Sequence, residues 1–578
     1  MSKFLGKASS PFWGRCFPAV DWIKNYTRQD FSADFFAGII TAILLIPQGI
    51  AYAMLAGLPP QQGLYASIFA PIVYALLGTS RILSVGPVSI AAIMVASALT
   101  TPEISALGNP VESAIILAAE GGIILLVMAV LRMGGLVNFI SHPVLTGFTT
   151  GAALLIIASQ LPHILGLAKP QCSFDWLCYQ NYFSGVNPAT LTVGLFSIIL
   201  LLFFGLPLTR LLQGLKLSRS VSTAISKCGP LLVVILTTVS VSSLAYFSTR
   251  DITVVGQVPS GLPSFNLDFI DSEKWRLLLP YAAFIALIAY VESYAIARVV
   301  ANLNHHRVDP NQELVALGSV NIVSAVSGGM SVAGGFSRTM VNYTAGARTQ
   351  MAMLIASGIV AIALIFFTAG FSIIPKVTLA TVILVAIFPL VKFKSIITTW
   401  RYDRGDGLAE LVTVLGVLIL GIEEGLALGI ILTIASYLRK VSHPHIAVVG
   451  RIQGTEHYRN INRHQVETWE NLLLLRIDEN LTYANINYTE DFINAELTQQ
   501  SSVKNLVLIL TSVSYIDSTA LESLEKLIPQ LHDSGIQLHL AEVKGPVLDK
   551  LEQTEFLELL YPGKVFLRTD EAVIELNG

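Results

Sequence analysis

The sequence is poor in charge. Lysine, arginine, aspartate and glutamate together make up only 13% of the 578 residues, whereas hydrophobic residues make up 53%. Soluble domains carry about 25% charged residues, so this composition excludes an ordinary soluble protein. The net charge of −3 at pH 7 is small and does not indicate a nucleic acid or another polyionic partner.

The sequence also lacks the motifs of common enzymes. It contains no Cys/His spacing typical of a metal site, no GxxxxGK[ST] phosphate-binding loop and no nucleophile with a nearby base, and its histidines fit loops. We therefore predict no catalytic residue, no metal and no cofactor. The polar, mixed N-terminus argues against a cleavable signal peptide, so the first membrane helix would direct insertion.

The sequence is instead rich in long apolar runs. They predict fourteen membrane segments, several of which are shorter than the roughly 20 residues of a full span. The approximate ranges are 31–56, 63–77, 84–100, 112–131, 136–166, 190–207, 229–247, 276–297, 313–328, 335–346, 351–370, 376–391, 408–421 and 425–438.

Lysine and arginine are distributed unevenly between the predicted loops. With the N-terminus in the cytosol, the cytosolic stretches up to Lys440 hold 20 of them and the outer stretches hold 5. Cytosolic loops of membrane proteins carry such an excess. The bias supports an even number of segments and predicts that both termini are cytosolic.

Two short apolar segments are interrupted at corresponding places in the two halves of this region. The breaks span 84–89 and 333–338, and each precedes a helix too short to cross a bilayer, over 90–100 and 339–346. Because each half has an odd number of segments, the second half is predicted to be inverted relative to the first. Inverted repeats with broken helices bind substrate near the bilayer midplane, and helix N-termini favour an anion.

The character of the chain changes after Lys440. The pattern predicts strands at 471–477, 505–510 and 536–541, an amphipathic helix at 518–532 and a polar connector at 443–463. Strands that alternate with helices indicate a small α/β domain. The predicted domains are a cytosolic N-terminal segment over 1–30, a transporter domain over 31–440 with repeats at about 31–247 and 276–438, and the connector with the α/β domain over 441–578.

Several motifs together resemble the SulP/SLC26 family of anion transporters over nearly the whole chain. They are Pro47-Gln48-Gly49-Ile50-Ala51-Tyr52-Ala53, Ala56-Gly57-Leu58-Pro59-Pro60, Ser84-Val85-Gly86-Pro87, Val144-Leu145-Thr146-Gly147-Phe148, Val291-Glu292-Ser293-Tyr294, Asn311-Gln312-Glu313-Leu314, Phe336-Ser337-Arg338-Thr339 and Val341-Asn342. The C-terminal domain resembles a STAS domain through Ile516-Asp517-Ser518-Thr519-Ala520.

This resemblance implies an α-helical polytopic membrane protein in a seven-plus-seven inverted repeat, followed by a small cytosolic α/β STAS domain. It also implies core and gate domains, a homodimer and alternating access by movement of the core domain. The short STAS domain resembles those of bacterial members, which favours a bacterial inner membrane as the location.

The substrate site is predicted where the first span meets the two breaks. Gln48 follows Pro47, and Tyr52 lies four residues later on the same helix face, where the resemblance also places an anion donor and a pocket wall. The alternative for Gln48 is an amide that caps backbone groups freed by the proline. The other predicted binding residues are Gly86 and Val88 in the first break and Gly335, Phe336, Ser337 and Arg338 in the second.

Arg338 carries a full positive charge in an otherwise apolar region. Its place at a half-helix start, facing the other break, predicts a positive site that suits a dianion such as sulfate. Two alternatives stay open: the guanidinium neutralises a neighbouring carboxylate or caps carbonyl groups, or it acts on the substrate through its field without direct contact.

Glu292 is an acid inside a predicted span, beside the anion site. Moving a dianion inward against 100 mV costs about 4.6 kcal/mol, so uptake needs a coupled cation or anion exchange. A carboxyl that takes up a proton when substrate binds would supply this coupling, and the alternative is a permanent salt bridge to Arg338 or Arg298. Glu120 is a weaker candidate. Sodium-coupled members tend to pair the acid with a hydroxyl four residues on, but that position is Ile296 here, which argues against sodium.

Three features are expected to lie outside the transport site. Ser518 matches the residue phosphorylated in soluble STAS relatives, although Asp517-Ser518 is also an ordinary helix N-cap. Asn311-Gln312-Glu313 is expected to cap the ninth segment. Cys172 and Cys178 fall in a predicted outer loop, where an oxidising compartment permits a disulfide.

We therefore expect a secondary active transporter of an inorganic oxyanion, with sulfate favoured, that works by proton symport or anion exchange. The ungapped match around 308–350 is closest to sulfate-carrying members. Bicarbonate or a dicarboxylate is the alternative substrate. An alternative of another class is a membrane-anchored regulatory protein whose STAS domain binds a cytosolic protein. Neutral-nucleobase carriers share the fold but lack the STAS domain and a matching arginine.

Overall fold

In the computed structural model of the chain, residues 17–135, 141–167, 185–216, 222, 225–226, 228–243, 252–265, 267–269, 272–500 and 502–577 are described. They divide into two compact units, Met1–Ile430 and Ile431–Gly578. The first unit is helical and the second contains a β-sheet. The predicted disulfide of Cys172 and Cys178 lies outside the described residues.

The first half of the membrane region contains helices that begin at polar caps or prolines. Side chains of Thr27, Asn109, Ser141 and Asn187 accept hydrogen bonds from the first turn of the helix that follows each one. In chain order the elements are α1 (Ala19–Lys24), α2 (Arg28–Leu55), α3 (Pro60–Ala66), α4 (Phe69–Leu77), β1 (Val85–Gly86), α5 (Ser89–Thr100), α6 (Pro102–Ser105), α7 (Pro110–Val130), α8 (His142–Leu165), α9 (Pro188–Phe203), α10 (Leu206–Gly214) and α11 (Gly229–Ser243).

The second half repeats this plan of long helices around one short strand and one short helix. Asp309 and Asp403 cap two of its helices in the same way. Its elements are α12 (Ser272–Leu303), α13 (Pro310–Val326), β2 (Ala333–Gly334), α14 (Phe336–Thr344), α15 (Met351–Phe366), α16 (Thr368–Ser372), α17 (Lys376–Ile387), a 3-10 turn (Phe388–Leu390), α18 (Phe393–Tyr402), α19 (Arg404–Ile419) and α20 (Ile422–Ser442).

Within the described residues, each of the fourteen predicted segments contains helix, but not always as one piece. The segment predicted at 63–77 is two helices, α3 and α4, and the eighth segment is longer than predicted, because α12 covers Ser272–Leu303. In the described part of the chain, six helices are long and apolar enough to cross a membrane, and the bent pair at 188–203 and 207–214 would add a seventh. Fourteen membrane crossings therefore stay a prediction.

The two halves pack closely at a pair of facing glycines, Gly122 and Gly318. A Cβ atom added to Gly122 of α7 would lie 2.7 Å from the Gly318 carbonyl oxygen, and one added to Gly318 of α13 would lie 2.8 Å from the Gly122 carbonyl oxygen. Backbones approach to this distance only where neither residue has a side chain. These glycines thus let a helix of one half pack directly on a helix of the other.

The two broken segments form a two-stranded antiparallel sheet. Val85 pairs with Gly334, and Gly86 pairs with Ala333. Each strand leads directly into a short helix, α5 or α14. The antiparallel pairing brings the two helix starts together from opposite directions, as an inverted repeat requires.

The C-terminal unit is built on a six-stranded sheet with the order β4-β3-β5-β6-β7-β8. Strands β5 to β8 are parallel, and β3 is antiparallel to β5. The elements are β3 (Ile446–Arg451), β4 (Tyr458–Asn460), β5 (Leu472–Ile477), α21 (Ile486–Gln499), β6 (Asn505–Ile509), α22 (Ser518–Asp533), β7 (Gln537–Ala541), α23 (Gly545–Leu551), α24 (Phe556–Leu560), β8 (Val565–Phe566) and α25 (Thr569–Asn577).

This unit confirms the predicted strands and amphipathic helix but corrects the predicted connector. Residues 443–463 are not simply a polar linker, because they contain β3 and β4. The apolar run of β3 was short and flanked by polar residues, yet Ala447 and Val449 are buried against the sheet. Strand pairing with β5, more than twenty residues further along the chain, decides this conformation.

His539 corrects the expectation that the histidines lie in loops. It belongs to β7 and is only 1% exposed. Its Nδ1 accepts a hydrogen bond from the Lys564 N–H at 3.1 Å, and its Nε2 lies 3.2 Å from Asn505 Oδ1. Burial, with a smaller contribution from Lys564, lowers the pKa of His539 from 6.5 to about 4.

The stability of this unit should therefore depend on pH through His539. In the unfolded chain His539 has its ordinary pKa of 6.5 and is protonated below that pH. In the folded chain its pKa is about 4, so it stays neutral until the pH falls to about 4. Stability is then complete above pH 6.5 and falls by up to about 3 kcal/mol as the pH drops toward 4. Urea unfolding of the fragment 431–578, at neutral and mildly acidic pH, measures this loss. His539→Gln should remove most of the dependence, whereas His457→Gln, at an exposed position, should retain it.

Candidate functional site

The short helices α5 and α14 begin at the paired strands, and neither has a side-chain cap. The first backbone hydrogen bonds run from Ala92 N to Val88 O at 3.0 Å and from Thr339 N to Gly335 O at 2.9 Å. The N–H groups of 89–91 and 336–338 precede those bonds and have no partner inside the helix. Two sets of N–H donors and two positive dipole ends therefore lie at one place.

Arg338 links the two breaks. It is 2% exposed, and its Nη1 donates to the Pro87 carbonyl at 2.6 Å and to Gln48 Oε1 at 3.4 Å. Its Nε and Nη2 are buried and find no hydrogen-bond partner within the described residues. The guanidinium thus caps a carbonyl, as one alternative had it, and still keeps two unused donors between the helix starts.

Two glycines make room for this guanidinium. A Cβ atom at Gly335 would lie 2.9 Å from Arg338 Nη2 and 3.0 Å from its Cζ, and a Cβ atom at Gly86 would lie 3.4 Å from Nη2. The missing side chains at Gly335 and Gly86 are therefore what lets the charge lie against the backbone of both breaks.

Gly335→Ala should displace the guanidinium while leaving the fold intact, because the atoms it would meet are at the end of a flexible side chain. We expect kcat/KM for anion uptake to fall at least about tenfold, since small misplacements of a positioning group are costly. Initial uptake rates in proteoliposomes measure this effect. Gly86→Ala should have a smaller effect. Gly358→Ala is the matched control, because a Cβ atom there meets nothing within 4 Å.

Gln48 and Tyr52 reach the same place from α2. Gln48 is 4% exposed and its Oε1 accepts from Arg338, while its Nε2 makes no hydrogen bond to the described part of the chain. Tyr52 is 6% exposed and lies within electrostatic range of Arg338 and Glu292, beside Ser89 at the start of α5. The amide of Gln48 therefore faces the guanidinium and leaves one donor for a ligand.

The remaining predicted binding residues divide into a buried and an exposed group. Val88 is buried and packs with Ala289 and Ala333. Phe336 is 49% exposed and Ser337 is also exposed, at the first turn of α14. The structure thus gives the site one open side, formed by Phe336 and Ser337.

Glu292 lies in α12 close to this site but is not in an ion pair with Arg338 or with Arg298 in the structure as described. Its Oε2 is buried without a hydrogen-bond partner, and Arg338 acts on it only through its field. The next residue, Ser293, accepts a hydrogen bond from Gly334 N at 2.7 Å and so joins α12 to the second break. The described residues therefore show no salt bridge from Glu292 to Arg338 or Arg298, which was the alternative role of this acid. The Glu292 carboxyl nevertheless lies within the field of the Arg338 guanidinium.

Glu120 is also buried, with both carboxylate oxygens unpartnered among the described residues. The adjacent Gly121 faces Ala282 and Ala286 of α12, and Glu120 makes no hydrogen bond to any of the predicted binding residues that the structure describes. Glu410 and Glu423 are among the membrane acids for which the sequence suggested no role. Both oxygens of Glu410 and one of Glu423 are buried without partners, and the other oxygen of Glu423 accepts from Ser97 at 3.2 Å. The position of Glu410 inside a predicted apolar segment was the available signal, whereas Glu423 falls in the short stretch between the segments at 408–421 and 425–438.

Polar side chains of the second half hold the first break in place. Asn342 donates to the Ile82 carbonyl at 3.0 Å, and Thr339 Oγ1 accepts from Ser84 N at 3.0 Å. Gln350 Nε2 donates to the Ser80 and Leu83 carbonyls at 2.8 and 3.0 Å. The sequence alone suggested no role for these residues, since a single polar residue does not reveal which distant residue it contacts.

Glu313 extends this support and corrects the expected capping role. Asp309, not Asn311-Gln312-Glu313, caps α13, because its side chain accepts from Asn311 N and Gln312 N. Glu313 is fully buried and accepts from the Tyr74 hydroxyl at 2.8 Å and from Thr79 N and Oγ1 at 2.8 and 2.6 Å. Its carboxylate therefore anchors the loop that leads into the first break.

Ser518 is exposed at the first position of α22. The cap is Asp517, whose side chain accepts from Ala520 N and from Tyr483 N, each at 2.8 Å. The Ser518 hydroxyl is thus not needed as a cap. Among the described residues no group of three His, Cys, Asp or Glu is arranged to hold a metal ion.

Comparison with known proteins gives a consistent result. Residues 31–413 match the Sulfate permease family, and residues 463–572 match the STAS domain. Probable sulfate transporter 4.2 of Arabidopsis thaliana is 33% identical over 96% of this chain and 83% of its own length. High affinity sulfate transporter 2 of Stylosanthes hamata is 31% identical over 96% of this chain and 86% of its own.

Solved structures show the same fold. The structure of murine Solute Carrier 26 family member A9, an anion transporter in the inward-facing state, matches with a TM-score of 0.85 at 21% identity, over 99% of this chain and 97% of that one. The transmembrane domain of the cyanobacterial bicarbonate transporter BicA matches with a TM-score of 0.59 at 20% identity, over 70% of this chain and 98% of that one.

Proposed function

The chain belongs to the sulfate permease family of anion transporters, and on that premise we propose that it is a secondary active transporter of sulfate. The observation that carries this proposal is the buried Arg338, which has two unused donors between two uncapped helix starts. A fixed positive charge with two dipole ends suits a dianion better than a neutral solute or a monoanion. The relatives named as sulfate transporters support the same choice.

In the proposed binding mode the anion lies against the first turns of α5 and α14. Backbone N–H groups of these turns, Arg338 Nε and Nη2, and Gln48 Nε2 donate to its oxygens, and the Ser337 hydroxyl adds a donor at the open side. Tyr52, Val88 and Phe336 supply apolar walls. Gly86 and Gly335 let the backbone approach the ligand.

The proposed driving force is a proton carried by Glu292. Inward movement of a dianion against 100 mV costs about 4.6 kcal/mol, which binding contacts alone cannot supply over a full cycle. A proton on Glu292 would remove a negative charge beside the anion site when substrate is bound. Anion exchange is the second candidate for coupling, and it needs no titrating group.

The wider setting is proposed from the family and from the charge distribution. We place the protein in a plasma membrane, as in the inner membrane of a bacterium, with both termini in the cytosol, and as a homodimer that moves its core domain for alternating access. The transporter domain would extend over 31–440, followed by the STAS domain within 441–578. Ser518, exposed beside a helix start, is proposed as a phosphorylation site that controls a cytosolic protein partner.

Uptake of labelled sulfate into proteoliposomes tests the proposed function. Purified full-length protein should accumulate sulfate when the outside is acidified, and unlabelled sulfate should compete better than bicarbonate, succinate or chloride. Stronger competition by bicarbonate would instead assign the site to that anion, which the BicA-like fold also permits. Absence of uptake of any anion would favour the membrane-anchored regulatory alternative.

A further inference from the structure

A cavity lies in the membrane unit, and none of its lining residues belongs to the strand pair or to the first turns of α5 and α14. It has a volume of about 260 Å³ and is located where α2 begins and α12 ends. Trp22, Arg81, Asn304, His306 and Arg348 are among the residues that line it. Three of these five side chains are basic.

The positive charge of this cavity is only partly neutralised. Arg348 forms an ion pair with Asp30 at 2.9 Å, and Asp30 is the one acid among the lining residues. Arg81 has no hydrogen bond or ion pair to any described residue, and it acts electrostatically on His306. A half-buried arginine without a partner is unusual, because the guanidinium offers five donors that a protein normally satisfies.

Two further residues that line the cavity, His306 and Trp22, also point to an excess of positive charge and of hydrogen-bond donors. Burial, then the charges of Arg81 and His305, lower the pKa of His306. The indole Nε1 of Trp22 is buried and finds no acceptor within the residues that the structure describes. The cavity therefore holds more positive charge than Asp30, the one carboxylate among its lining residues, can balance.

The walls are held in place by hydrogen bonds outside the cavity. Asp34 is fully buried, and its Oδ1 accepts from Arg348 N and Thr349 N at 2.7 and 3.1 Å. Its Oδ2 accepts from Thr349 Oγ1 at 2.6 Å and from the Tyr26 hydroxyl at 3.2 Å. Asp34 thus connects the loop of Arg348 to the segment that contains Trp22, so the cavity is preformed.

We propose that this cavity binds a phosphate group, either a free anion or the headgroup of an anionic lipid. The volume equals about nine waters and lies below the usual range for drug-sized ligands, which suits one tetrahedral oxyanion better than a nucleotide. Arg81 and Arg348 can each donate two N–H groups to phosphate oxygens. The charge distribution predicts that the cavity opens to the cytosolic side.

The position of the cavity links it to both breaks. Arg81 lies in the loop that leads into β1, four residues before Val85. Arg348 follows α14, the helix that begins at the second break. An anion held by both arginines would tie the two loops together and restrain the two short helices. This regulatory consequence rests on the proposed transport function, whereas the binding itself does not.

Hydrogen exchange on the full-length protein tests the binding directly. In nanodiscs of phosphatidylcholine alone, inorganic phosphate should slow amide exchange in 19–27 and 304–309. In a second arm, nanodiscs that contain phosphatidylglycerol should slow the same amides without added phosphate. Protection in the first arm alone assigns a soluble anion, and protection in the second assigns a lipid headgroup.

Variants locate the effect. Arg81→Gln should weaken the protection by phosphate about tenfold, as expected for a lost charge-assisted hydrogen bond, and Arg81→Lys should bind more tightly than Arg81→Gln. Arg307→Gln, which removes an exposed charge from the neighbouring loop, should bind like the wild type. Arg338→Ala should also retain protection, so a failed transport hypothesis would leave this result unchanged. Equal protection in Arg81→Gln and wild type, or none in either arm, would overturn the proposal.

Discussion

Arg338→Ala should abolish concentrative sulfate uptake. The substitution removes two buried donors that nothing in the described protein uses, together with the positive charge that lies between the starts of α5 and α14. Loss of two charge-assisted hydrogen bonds predicts a fall in kcat/KM of at least about 100-fold. Initial rates of labelled sulfate uptake into proteoliposomes, at matched protein content, measure it.

The fold should tolerate this change. The paired strands keep their backbone bonds, and the supporting contacts of Asn342, Thr339 and Gln350 do not involve the guanidinium. Arg298→Ala is the matched control, because it removes the same side chain from α12, where it stacks on Tyr294 at 5.9 Å. Arg338→Lys should be intermediate, since it retains the charge but not the planar pair of donors. Wild-type uptake by Arg338→Ala would refute the site assignment.

Glu292→Gln should lose accumulation driven by a proton gradient while keeping exchange of anion for anion. The amide has nearly the shape of the acid, so the pocket beside Arg338 is preserved, but it cannot carry a proton. A coupled proton that moves down a gradient of about one pH unit supplies about 1.4 kcal/mol, enough for about tenfold accumulation, and the variant should lose this factor.

Two assays separate coupling from binding in this variant. Uptake under an inward proton gradient reports the coupling, and counterflow of labelled sulfate without a gradient reports binding and translocation. Glu120→Gln is the comparison, because both carboxyl oxygens of Glu120, like Oε2 of Glu292, are buried without a partner among the described residues, whereas the field of Arg338 acts on Glu292. An unchanged response of Glu292→Gln to the gradient would transfer the coupling role to Glu120 or favour simple exchange.

Much of the transport site was predicted because it is local in sequence. A proline or glycine inside an apolar run predicts a helix break without any knowledge of the tertiary structure. Gln48 and Arg338 stand out because they are polar residues in segments that are otherwise apolar. Family resemblance then assigned roles to their neighbours. The structure brings Gln48, Tyr52 and Gly335 to Arg338, and their roles in binding stay a prediction until the variants are measured.

The residues whose roles the sequence did not reveal are those that contact residues far away in the chain. Glu313 looked like a helix cap because acids favour the first helical turn. Its carboxylate instead anchors Thr79, 234 residues away in sequence. The strand at 446–451 also depends on a distant contact. Its few apolar residues looked like part of a linker, because only their pairing with β5 shows that they form a strand.

The sequence by itself determined the class of this protein. Its long apolar segments require a membrane, and its two helix breaks require a backbone that is buried in protein or lines water, because exposing polar groups to lipid is costly. The distribution of lysine and arginine predicts the orientation. Only the tertiary structure decided that Val85 pairs with Gly334, that Arg338 reaches Pro87 across 251 residues, and that Arg81 shares a cavity with Arg348. Such contacts depend on how the halves pack, and packing between distant segments leaves no periodic signal in the chain.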